Sequence, residues 1–133
     1  MRILFLGDVV GISGCSKIMN NLLNQKKKNK IDFVIVNAEN AAETGVGLTK
    51  EICEDFFKCG VNVITTGNHV WDQKDIMNFI DKENRLLRPK NLFEPSPGKG
   101  FEIYKTTKDI KIGVLNLMGN VFMKKCDDVF EIS

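Results

Sequence analysis

Residues 61–72 read VNVITTGNHVWD: an apolar run, and directly after it the only histidine and the only tryptophan of the chain. Val61 to Thr65 has the length and β-branched content of a strand buried in a parallel sheet, and GNH opens a loop at its carboxyl end. The same grammar recurs upstream. Arg2 to Leu6 is a short apolar run ending in Gly-Asp, which predicts a strand buried on both faces; Phe33 to Val36 is a second, followed by the loop NAENAAETGVG. Between them Ile18, Met19, Leu22 and Leu23 recur at the spacing of an amphipathic helix. Ile52, Phe56 and Phe57 share one face of the next helix, with Thr49 as its N-cap and Gly60 at the position of a C-terminal glycine cap. After the third strand, Asp72 is placed to cap a helix carrying Ile76, Met77 and Ile80. Strand and helix alternating three times predict an α/β fold, a parallel sheet covered by helices.

From Leu86 the texture changes. RPKNLFEPSPGKG reads mostly as loop, and FEIYK and KIGVLNL as two further strands, a hairpin through TTKD. The 133 residues fit one domain, and 19 basic against 17 acidic residues leave a net charge of +2, so nothing in the overall field argues for nucleic acid. Lys26, Lys27, Lys28 and Lys30 read as a solvated helix end. No apolar segment approaches the ~20 residues of a membrane span, and the N-terminus lacks the pattern of a secretion signal, so the expected location is cytoplasmic. Cys15, Cys53, Cys59 and Cys126 form no CxxC pair and read as reduced structural thiols.

The polar residues at the strand ends carry the chemistry. Asp8 follows the first strand, Glu39 and Asn40 the second, Asn68 and His69 the third, and ligands of open α/β sheets bind outside the carboxyl ends of the strands. Two carboxylates in one crevice repel, and a divalent cation relieves that repulsion. Oxygen donors beside an imidazole suit Mn or Fe better than a thiolate metal. Asp8 has the alternative role of capping the following helix, and Asn40 that of a local side-chain turn. Trp71 reads as a wall of the pocket or part of the core, with base stacking as a third role. GDVVGISG misses the dinucleotide fingerprint and no stretch matches a P-loop, so Gly45, Gly47, Gly98 and Gly100 read as turn glycines, with a phosphate contact from the PGKG amides as the alternative.

GDVVG at 7–11, NAENAA at 37–42, GLT at 47–49, GNHVWD at 67–72, RPKN at 88–91 and PGKG at 97–100 resemble the YmdB-like calcineurin-type metallophosphoesterases. The resemblance runs from Met1 to about Phe130. It implies an α/β/β/α sandwich of which residues 1–133 are the N-terminal half, a mainly parallel sheet flanked by helices. It also implies a phosphodiesterase acting on 2′,3′-cyclic and 3′,5′-cyclic nucleotides through a hydroxide activated by two metal ions, Fe or Mn. Asp8 and Asn40 would bind one metal, Glu39 would bridge both, Asn68 would bind the second, and His69 would protonate the leaving oxygen.

The family takes further metal-ligand histidines from FHGE-like and GTHTH-like segments, whereas this chain has no histidine beyond His69. Cys15 also stands where the family usually has Arg. Half a sandwich leaves an apolar face unburied, which predicts self-association or association with a complementary half. The competing expectation is an inactive half-domain that binds a partner chain or binds metal weakly.

Overall fold

The computed structural model describes residues 1–93, 95–121, 123 and 126–132. Its centre is a four-stranded parallel sheet in the order β1 (Ile3–Leu6), β2 (Phe33–Asn37), β3 (Val63–Thr65), β4 (Leu86–Leu87). The register is continuous, with Ile3 opposite Phe33, Ile35 opposite Val63 and Ile64 opposite Leu86. Helices α1 (Gly11–Asn29) and α2 (Lys50–Lys58) connect the first three strands. They pack on the face formed by Val34, Val36, Ile64 and Leu86, where Cys15, Leu22, Cys53 and Phe56 complete the larger core. Thr49 caps α2 by accepting a hydrogen bond from the Ile52 amide, and Gly60 follows the helix at φ +100°, the backbone region expected of a glycine cap.

Alternation sends Phe33, Val63 and Leu87 to the opposite face. There the antiparallel hairpin β5 (Phe101–Lys105) and β6 (Lys111–Leu115) buries them under Ile112 and Val114. Helices, parallel sheet and second sheet therefore stack as three layers, and the hairpin supplies the start of a second sheet. Lys108 at its turn pairs with Asp32 at the foot of β2, and Asp32 also accepts from the Arg2 amide.

Four sequence expectations are corrected. β1 is not buried on both faces: Ile3 and Phe5 are 46% and 59% exposed, because β1 is the edge of its sheet and the hairpin covers the strands beyond it. Leu23 is also exposed, at the margin of α1, while Ile18, Met19 and Leu22 face the core. The segment after β3 is a 3-10 turn at Lys74–Asn78 without a side-chain cap, and Asp72 has another partner. The stretch at Leu86 contains a buried two-residue strand, too short to show a period. No helix among the described residues is long and apolar enough to cross a membrane.

Candidate active site

The carboxyl ends of β1, β2 and β3 lie side by side, and the loops leaving them are tied together by main-chain bonds. The Val9 amide donates to the Asn37 carbonyl and the Gly11 amide to the Asn40 carbonyl; the Ala38 amide donates to the Thr65 carbonyl. These bonds bring Asp8, Glu39, Asn40, Asn68 and His69 to one edge of the sheet. Asp8 sits at φ 47°, an uncommon conformation for a residue with a side chain, and its Oδ1 accepts a 2.7 Å bond from Asn40 Nδ2. It does not cap α1, whose N-cap residue is Val10 and which has no side-chain cap.

Glu39 lies over Gly67. A methyl group on Gly67 would fall 1.3 Å from Glu39 Oε2 and 2.5 Å from its Cδ, so the carboxylate occupies the space that a side chain at 67 would need. Burial pushes the Glu39 carboxyl above the usual carboxylate range, and the nearby Asp8 charge adds to the shift; His69 and a hydrogen bond from the Asn68 amide act the other way. His69 Nδ1 lies 2.5 Å from Asp72 Oδ2. An ionised carboxylate only accepts, so Nδ1 carries the proton in this pair and Nε2 is the nitrogen left to meet a substrate. Sequence reasoning missed Asp72 in this role, although its spacing of three from His69 puts both on one turn.

The loop after β2 is clasped from the same side. Gln73 Nε2 donates to the Val46 carbonyl, and Gly47, at φ +81°, leaves room for Gln73, which a methyl group would meet at 2.7 Å. Cys15 is buried, its thiol donating to the Ala41 carbonyl, so the position packs against the site loop. In PGKG the Gly98 amide donates to Asp81 Oδ1, which fits the turn reading of that segment. Arg88 and Asn91 of RPKN are buried and bind main-chain carbonyls, Arg88 those of Pro89, Ser96 and Pro97, and Asn91 those of Met118 and Asp127.

Two carboxylates and the Asn40 side-chain amide thus converge, with the Asn68 main chain and an imidazole close by, and a family model described as YmdB-like protein matches residues 4–133. The chain belongs to the YmdB-like family. This YmdB-like chain is 44% identical over 130 residues to the Bacillus subtilis (strain 168) protein named 2′,3′-cyclic-nucleotide 2′-phosphodiesterase, a match covering 98% of this chain and 48% of that protein. A crystal structure of a hypothetical protein from Thermus thermophilus superposes with a TM-score of 0.91 at 33% identity, over 99% of this chain and 50% of its own. Another, described as a novel phosphatase from Mycoplasma pneumoniae, gives 0.88 at 38% identity, over 99% of this chain and 48% of its own. The YmdB-like chain therefore spans about half the length of the proteins it matches. It has the calcineurin-like α/β sandwich fold, and membership links it at the family level to phosphatase and phosphodiesterase chemistry.

The donors fit one edge of a divalent-cation centre: two carboxylates whose mutual repulsion a cation relieves, one of them cradled against a residue without a side chain. Among the described residues, no group of three or more His, Cys, Asp or Glu side chains is gathered closely enough to hold a metal ion alone.

Proposed function

We propose that this site hydrolyses cyclic nucleotide phosphodiesters, 2′,3′-cyclic and also 3′,5′-cyclic monophosphates, with two divalent cations, Fe or Mn, as cofactors. The observation that carries the reading is the Glu39 carboxylate seated over Gly67, beside Asp8, Asn68 and His69 at three adjacent strand ends. Asp8 and Asn40 would hold one cation, Asn68 the other, and Glu39 both. When bound, such a pair clamps a phosphate and makes water nucleophilic near neutral pH.

The chain's own residues do the rest. Asp72 fixes the His69 ring through Nδ1, so a proton on Nε2 is presented to the leaving oxygen. Water loses one proton to solvent as its oxygen bonds to phosphorus, the bond from phosphorus to the 2′ oxygen breaks, and that oxygen takes the His69 proton, which solvent then restores. The product of a 2′,3′-cyclic substrate is then a nucleoside 3′-phosphate.

Further donors belong, on this reading, to a complementary half of the sandwich. A groove of about 570 Å³ lined by Ile3, Phe5, Asn37, Ile112, Val114 and Leu115 runs between β1 and β6, and the buried Asn37 Oδ1 has no hydrogen-bond partner among the described residues. Strands from a complementary half, or from a second copy of the chain, would cover it.

A second reading, a non-catalytic half-domain, is favoured by the absence of a complete metal cluster among the described residues. Release of 3′-AMP from 2′,3′-cyclic AMP with added Mn²⁺ separates the two. Product from the wild type that vanishes in His69→Ala supports the phosphodiesterase, and no product from either supports the half-domain.

A further inference from the structure

Beside the strand-end cluster lies a cavity of about 360 Å³ that the chemistry above does not use. Asn68 and Asp72 border it, Asp72 being the residue bonded to the His69 ring, and its remaining walls include Trp71, Leu92, Phe93 and Met118. The volume is at the lower end of the range for small-molecule sites, and a mainly apolar wall with a few convergent polar groups is their usual make-up.

The walls differ in rigidity. Trp71 and Leu92 pack on the main core. Met118 is buried and held on both sides by Asn91, whose Oδ1 accepts from the Met118 amide at 2.9 Å and whose Nδ2 donates to the Met118 carbonyl at 2.7 Å. Phe93 is different: it is 52% exposed, at the rim of the cavity. Two aromatic side chains in the wall of one cavity, with Met118 held in place beside them, suit a flat ring system, and the polar border places that ring's substituent toward the strand ends.

Resting on the phosphodiesterase reading, we propose that this cavity is the nucleobase subsite, that Trp71 and Phe93 hold a purine ring by stacking, and that Phe93 is a specificity-determining residue. Stacking is tolerant of base identity but strongest for the larger ring, so purines bind ahead of pyrimidines. The base then anchors the ribose with its phosphodiester beside Asn68 and His69.

Trp71 is the only tryptophan of the chain, so all tryptophan emission comes from this one wall of the cavity. The probe is adenosine, which has no phosphate and needs no cation, titrated into the full chain with inorganic phosphate as control. Saturable quenching by adenosine is expected, with none from phosphate. Phe93→Ala should weaken adenosine binding about fivefold or more, the lower end for loss of one stacking partner, and Phe93→Tyr should restore it. Adenosine that leaves the emission unchanged at millimolar concentration, or that titrates Phe93→Ala like the wild type, overturns the assignment. Parallel Mn²⁺ titration separates this from the metal reading. Silent adenosine with intact Mn²⁺ binding removes the base subsite only, whereas adenosine binding without Mn²⁺ binding upholds the subsite and removes the metal site.

Discussion

Replacing Gly67 with alanine tests whether the Glu39 carboxylate is built into its place. Gly67 is absent from the positive-φ glycines, so its backbone suits an L-residue and the substitution acts through space alone. The new methyl group would lie 1.3 Å from Glu39 Oε2, and ordinary contact distances require the carboxylate to recede by about 2 Å. The obstructing atom is the far end of a flexible side chain, and burial already disfavours its charge, so expulsion towards solvent is cheap for the fold. Loss of the Asn68 amide bond and local overpacking oppose the stabilisation that Gly→Ala gives through the unfolded state. These terms leave the net change within about 1 kcal/mol, or a melting shift of about 4 °C. Metal affinity has no such compensation, since disturbing the support of a ligand typically lowers it about 10- to 100-fold. Calorimetric titration with Mn²⁺ beside a thermal melt reads both quantities. A Gly67→Ala isotherm that superposes on the wild type would refute the placement of Glu39, and so would a variant that does not fold.

Glu39→Gln should stabilise the metal-free chain at neutral pH. The folded pKa of Glu39 lies above its unfolded value, so the native state binds the extra proton and stability falls as pH rises through that window. The gain in urea midpoint should therefore be present at pH 7 and fade below the usual carboxylate range. Asp72→Ala should lower turnover of 2′,3′-cyclic AMP about 10- to 100-fold by freeing the His69 ring, with Mn²⁺ affinity unchanged; equal loss in both would make Asp72 a structural residue. Asn91→Ala should cost about 3 kcal/mol by urea denaturation, because it strands the buried Met118 amide and carbonyl.

Much of the sheet, and the placing of the candidate polar residues at one of its edges, is legible in the sequence because both obey local rules. Apolar runs of three to five residues mark β1, β2 and β3, and the polar residues that follow each run fall at the carboxyl ends whatever the rest of the fold does. What escapes depends on distant parts of the chain. Leu86 and Leu87 form a strand only because β3 offers them partners, and the exposure of Ile3 and Phe5 follows from where the hairpin lands. Asp72 looks like a helix cap from its neighbours, yet His69 is the partner it takes and only a short 3-10 turn follows. The Trp71 and Phe93 cavity joins residues 22 positions apart, the second in a proline-containing loop whose path no periodicity encodes.

The proposed function rests on a divalent cation held where the first three strands end. Titration of Mn²⁺ into the ¹⁵N-labelled chain tests it directly, because the paramagnetic ion erases amide signals nearest to it first. A cation at that edge gives earliest broadening at Gly7, Asp8, Glu39, Asn40 and Asn68, abolished together in Glu39→Gln. Broadening centred instead on the carboxylates beside α2, Glu54 and Glu83, or persisting unchanged in that variant, would contradict it.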